Sequence, residues 1–281
     1  MKKSLFIIIL VLFIPVITGC NNHITTISNN DDDKLDTSKQ YSDILKNIET
    51  YELSHSIPTS PIVETKSAFN WRFALAADAV PILIGSYFGP EGFFLGLFCG
   101  ALNSALVGCA AGDWSDNSTT QNTNVPSSLS FVPQEFGVIH NIVLNIIMEE
   151  VNSTNDVVTE EWLFNKAKGV FDELFPEETI DLTYRDYKAN SVLYTNVLGY
   201  STFPEYKDAC YQLMPDKKGA LDVVFKVHDT VSAQPTSIMA TEYVGAVSHI
   251  IEESSLPEIE KNCLVGTVMV ESASNEFWHE Y

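Results

Sequence analysis

By type and spacing, the residues of this chain that could do chemistry are its thiols, a few imidazoles and two arginines. His140-Asn141, set in GVIHNIVLNIIMEE, would complete a Cys-His-Asn constellation if the fold brought Cys210 or Cys263 beside it. The ring would then take the thiol proton while the amide oriented it. A core histidine held by hydrogen bonds explains the same residues without a reaction, because its neighbours are apolar. His249-Ile250-Ile251-Glu252-Glu253 lacks the second His of a zincin HExxH and reads as a helix surface. The six histidines are scattered and no CxxC occurs, so no metal-ligand spacing emerges. GxSxG, P-loop and GxGxxG patterns are missing too. The sequence therefore predicts neither an enzyme nor a cofactor.

Another thiol has a clearer role. The chain begins MKKSLFIIILVLFIPVITGC: Lys2 and Lys3, an apolar core from Leu5 to Val16, then Ile17-Thr18-Gly19-Cys20. The core is too short to span a bilayer and has the order of a signal peptide. Ile-Thr-Gly-Cys resembles a bacterial lipobox, which implies that residues 1–19 are removed and that Cys20 is acylated, with palmitate or a similar chain, as a membrane anchor. Asn21 is not the Asp that commonly retains lipoproteins at an inner membrane, so an outer-membrane, cell-surface lipoprotein is expected. Outside the cytoplasm Cys99, Cys109, Cys210 and Cys263 could form disulfides in any pairing. With 16 Lys and Arg against 37 Asp and Glu, a net charge of −21, the chain offers no patch for phosphate backbones. Nucleic acid is excluded as a partner, and simple attraction to anionic lipid is disfavoured.

These residues hang on a mostly α organisation: lipoprotein signal and polar tether, Gly-rich hydrophobic helical hairpin, C-terminal α-helical domain. Residues 20–72 read as a lipid-anchored tether or propeptide, with an acidic run at 29–33 and one helix over 38–53 carrying Ile44, Leu45, Ile48 and Tyr51. Residues 73–112 are apolar, with only Asp78 and Glu91 charged. The breaker cluster Gly89-Pro90-Glu91-Gly92 predicts helices over 73–88 and 92–111, the first kinked or delayed by Pro81. Residues 113–133 are a Ser/Thr/Asn-rich linker, and 134–281 a domain large enough for its own core. Thr159 before EEWLFNKAKGVFDELF marks a helix start, whereas GALDVVFKVHDTV fits strand or helix.

The second apolar segment, GFFLGLFCGALNSALVGCAAG, repeats a small residue every fourth position: Gly92, Gly96, Gly100, Ser104, Gly108 and Gly112. Glycine inside a helix costs about 1 kcal/mol relative to alanine, so the repeat needs a return. Small residues four apart make a ridge on which another backbone can approach closely, as in membrane helix pairs. At about 1.5 Å per residue the segment spans roughly 30 Å, a bilayer core. It is expected either to pack within a soluble fold, or to insert in a target membrane and there form homo-oligomers.

Arg72 and Arg185 are the only arginines, and no Lys or Arg lies between Arg72 and Lys166. An arginine-specific protease would find Arg72 at the boundary of tether and hairpin and would leave Phe73 as a new N-terminus. The lipobox, the glycine-zipper block after Ala76-Ala77-Asp78, the Gly-x-x-His-Asn element at 137–141 and the SASNEFW ending at 272–278 resemble a group of Bacteroidales lipoproteins. That group includes a family of secreted toxins, activated by proteolysis and directed at related bacteria. The resemblance implies a bacteriocin-like antimicrobial toxin activated after Arg72, whose cleaved form is secreted. Because its charge repels lipid, it needs a receptor on the target envelope. The alternative is a non-toxic outer-membrane lipoprotein that binds a partner or serves the envelope structurally. Asp229-Thr230-Val231 resembles a short O-glycosylation acceptor motif.

Overall fold

Helix α1 (Ser38–His55) buries Tyr41, Ile44, Ile48 and Glu52 along one face. It ends on Ser56, whose left-handed backbone (φ 53°) returns its N–H to Glu52 O, the usual way to satisfy a last-turn carbonyl. The computed structural model describes residues 37–59, 71–86, 90–111, 132–176, 182–189 and 202–279. Among them every regular element is helical: α2 (Trp71–Ser86), α3 (Pro90–Ala111), α4 (Phe136–Ser153), α5 (Glu160–Leu174), α6 (Tyr184–Ala189), α7 (Phe203–Leu213), α8 (Lys218–Val231), α9 (Ser237–Glu252) and α10 (Glu258–His279). Short 3-10 turns, Pro133–Glu135 and Pro215–Lys217, lead into α4 and α8. Cys20, the signal segment and Gly112 lie outside the described residues.

The starts of these helices are written locally. Thr159, Thr202 and Thr236 sit in extended backbone and accept from the N–H groups of Trp162, Glu205 and Met239 through their hydroxyls, each satisfying one otherwise orphaned donor. Glu160 and Glu161 add favourable charge to the first turn of α5. The ambiguous segment 219–231 is helix: Leu221, Val224, Phe225, Val227, His228 and Val231 make a helical stripe buried against α10 and α1. Burial on that stripe overrides the β-branched preference.

Helices α2 and α3 form the expected hairpin, and its small-residue ridge is used inside the chain. A Cβ at Gly100 would lie 2.5 Å from Asp78 O, at Gly96 2.6 Å from Pro81 O, and at Gly85 2.0 Å from Gly92 O. The two backbones therefore touch along Gly92, Gly96 and Gly100, and Ser104 continues the line by donating to Asp78 Oδ2 at 2.9 Å. Gly108 is buried further along α3. Pro81 has no N–H for the carbonyl four residues back, Ala77 O. Asn103 Nδ2 of α3 donates to that oxygen at 3.3 Å. The large side chains of α3 face outward from the seam onto α5, where Phe94–Phe171 (5.2 Å) and Phe98–Phe164 (5.4 Å) pack edge to face.

Helix α10 is the hub, lying against α2, α4, α8 and α9, while α3 packs on α4 and α5. Among the described residues the two apolar helices and the C-terminal helices share one core, and the predicted linker at 113–133 lies, but for its last two residues, outside the described residues. The stretch Gly92–Cys109 is, among the described residues, the one helix long and apolar enough to cross a membrane, and 83% of it is buried in this body. Within the segment read as a tether, α1 is docked on α8 and α9.

Candidate functional site

Three sequence elements singled out separately meet around one carboxylate. Asp78, the end of the Ala-Ala-Asp run on α2, is fully buried, as are Ser104, His140 and Ser274. Asp78 Oδ2 accepts from Ser104 Oγ at 2.9 Å and from Ser274 Oγ of the SASNEFW segment on α10. Trp278 Nε1, from the same segment, donates to Ser104 Oγ at 3.1 Å. From α4, Asn141 Nδ2 donates to Ala273 O at 2.9 Å, which turns its Oδ1 toward His140 Nδ1 at 3.1 Å. That orientation makes Nδ1 the donor. The other ring nitrogen, Nε2, faces Asp78 Oδ2 at 3.5 Å, too poorly aligned for a full hydrogen bond. Imidazole and carboxylate thus face each other as a fully buried pair.

Close backbone approach makes the meeting possible. Gly137, opening the Gly-x-x-His-Asn element, leaves a Cβ position 2.5 Å from Met269 O, so α4 and α10 touch there. One face of α10 then presents Ala273 O, Ser274 and Trp278 across the hairpin. The arrangement ties helices together, with both serine hydroxyls donating to the carboxylate rather than to the imidazole. A polar bond in such an interior is strong once all partners are present and costly when one is missing. Asp78 Oδ1 has no hydrogen-bond partner, so the cluster has one unfilled acceptor.

The expected Cys-His-Asn set does not assemble. Both ring nitrogens of His140 face oxygen atoms, of Asn141 and Asp78. The Cys210 thiol instead interacts with Tyr206, and Cys263 Sγ donates to Leu83 O at 3.9 Å. Nor are the thiols of Cys99, Cys109, Cys210 and Cys263 bridged to one another. Cys99 and Cys109 share α3 and stand roughly 15 Å apart along it, beyond the ~7 Å Cα limit for a bridge. Burial pushes the Cys210 thiol up to about 12. Cys210 is therefore expected to resist a maleimide at pH 8 in the native protein and to react fully in denaturant, read by peptide mass spectrometry. Native labelling as fast as that of an exposed thiol would contradict its burial.

The other sequence candidates fall in dispersed places. Arg72 and Phe73 lie in the first turn of α2. His249 is exposed on α9, and Glu252 accepts from Gln134 at 3.1 Å, a helix surface as expected. Thr230 is fully buried and donates to Glu52 Oε1 at 2.8 Å, so its hydroxyl is no glycosylation acceptor in the folded chain. Sequence reasoning missed a second buried pair, His228 Nδ1 and Glu271 Oε1 at 2.6 Å, with Phe203 stacked on the ring. Its only signal was a histidine and a glutamate on the apolar faces of α8 and α10. Among the described residues no group of three or more His, Cys, Asp or Glu gathers.

The molecule is thus, by architecture, a helical body built around a sheltered apolar hairpin. No family model matches the chain, and no curated protein or solved structure matches it.

Proposed function

We propose that this chain is a surface and secreted bacterial lipoprotein toxin that acts on the envelope of related bacteria and is activated by cleavage after Arg72. The supporting observation is the sheltering of a bilayer-length apolar helix, 83% buried, behind polar bonds to α4 and α10. A surface kept covered in water and compact enough to travel as a hairpin suits a membrane-directed device. Arg72 stands at its entrance. Proteases bind extended substrates, so the cut requires that the first turn of α2 fray, which is the least bonded part of any helix. The acidic surface makes a receptor, rather than lipid charge, the means of targeting.

The depth of burial also favours a second reading, in which the hairpin is a permanent core and the anchored helical body binds an envelope partner. One experiment separates the two. Cells producing the native chain and the Arg72→Gln variant are grown, the protein in the culture fluid is N-terminally sequenced, and sensitive strains are exposed to it. The toxin reading expects Phe73 as the native N-terminus, and Arg72→Gln to lower killing by at least about 100-fold with export unchanged. An intact acylated chain and no growth inhibition from either form would establish the second reading.

A further inference from the structure

Helix α1 lies upstream of the Arg72 bond but is built into the body downstream of it. Tyr41, Ile44 and Ile48 are 4%, 1% and 0% exposed, an apolar stripe seated on α8 and α9. Tyr41 fits a notch at Gly219: a Cβ there would lie 2.6 Å from the Tyr41 ring. Its hydroxyl donates to Glu260 Oε2 at 2.7 Å, and Lys217 Nζ holds the other oxygen of that carboxylate at 2.8 Å. At the far end Glu52, only 4% exposed, is bound by three donors. Thr230 Oγ1 (2.8 Å) and Tyr243 OH (2.9 Å) reach Oε1, and Lys226 Nζ pairs with Oε2 at 2.6 Å. Gln40 Nε2 donates to Ser255 O at 3.2 Å, and Gln234 Nε2 grips Pro58 O just beyond the helix at 3.1 Å. Four donors and two acceptors aimed at one amphipathic segment, with a glycine notch for its aromatic ring, make a groove rather than an incidental contact.

We infer that residues 37–59 are a non-covalent subunit of the cleaved protein. Cutting the chain downstream of α1 leaves the lipid-linked piece gripped in the α8–α9–α10 groove, and the hairpin-bearing body stays at the anchor until the groove is opened. The inference takes its biological setting from the cleavage after Arg72 proposed above, but the grip itself rests on the groove alone. Burial is what makes it firm. Dissociation would strand Lys226, Thr230 and Tyr243 without their shared carboxylate and expose the Tyr41, Ile44 and Ile48 stripe to water. Release of the body from lipid therefore takes two steps, a cut and a displacement.

The test installs its own cut. A site-specific protease sequence is inserted between Thr59 and Trp71 of the chain from Asn21 to Tyr281, with an affinity tag at the Asn21 end. After complete cleavage the sample is passed over the tag resin in native buffer. The expected result is retention of the untagged body with the tagged piece, and its release in denaturant. A body that flows through in native buffer overturns the inference. Glu52→Ala, which strands Lys226, and Gly219→Val, which overfills the Tyr41 notch, should each weaken retention of the cut protein by roughly 100-fold, while the uncut chains keep their helical circular dichroism. Tyr243→Phe, which removes one hydroxyl, gives a several-fold loss and serves if the other two variants fail to fold. If Glu52→Ala folds and holds as firmly as the native chain, the groove is not the grip. A chain never clipped at Arg72 in culture would sink the cleavage reading and leave this result standing.

Discussion

Replacing His140 with leucine should destabilise the protein by about 3–5 kcal/mol, the cost of removing one partner from a buried Asp–His pair. For a chain of this size the loss lowers the melting temperature by roughly 10 °C. The reason is local: Asp78 would keep the Ser104 and Ser274 hydroxyls but lose the imidazole that faces it. The double variant Asp78→Leu, His140→Leu should regain more than half of the loss, because neither a stranded carboxylate nor a stranded imidazole remains. The freed serines can turn back to the carbonyls of their own helices. Melting curves by circular dichroism for both singles and the double give the coupling. Vesicle flotation adds a functional arm: if the cluster restrains the hairpin, His140→Leu should raise the membrane-bound fraction severalfold. A single variant that melts within a degree or two of the native protein would show that the pair contributes little.

The second large effect is expected at the seam. Gly100→Val puts branched carbons where even a Cβ would sit 2.5 Å from Asp78 O. The obstacle is backbone, which cannot rotate away, so the cost should exceed the usual 1–3 kcal/mol of overpacking, on the order of 4 kcal/mol. Gly96→Ala, facing Pro81 O at 2.6 Å, should fall in the upper half of that ordinary range. Two glycines supply the control. Gly169 and Gly245 are helical and have nothing within 4 Å of an added Cβ. Alanine there should stabilise by about 0.4–1 kcal/mol through helix propensity and the entropy of the unfolded chain. If Gly100→Val melts like the Gly169→Ala control, the close contact of α2 and α3 is wrong. Loss of killing in a seam variant reports on membrane action only when its fold is intact.

Much of this was legible in the sequence. The four-residue spacing of Gly92, Gly96, Gly100 and Ser104 pointed to a close helix–helix contact, and the breaker cluster at 89–92 pointed to two separate helices, the second of which begins at Pro90. Thr159 announced the start of α5. What stayed hidden is what depends on contacts distant along the chain. Glu52 reads as one more solvated acid, yet it is buried because Lys226, Thr230 and Tyr243 converge on it from α8 and α9. Val138 looks like core by composition but is exposed, while Ile139 and Val143 take the buried face of α4. A stripe with apolar residues on several faces does not say which one meets a neighbour. The cluster around Asp78 was present only as motif fragments on four helices. No local spacing tells that Asp78, His140 and Ser274 belong together.

The proline gap in α2 is mended from outside it: the amide that reaches the bare oxygen of Ala77 belongs to α3. Neither rod of the pair is complete alone, since parting them would leave a naked carbonyl in an oily surrounding. Whatever journey this region makes, through water or into lipid, the two must make it as one stiff spindle, with their mutual stitch closed throughout.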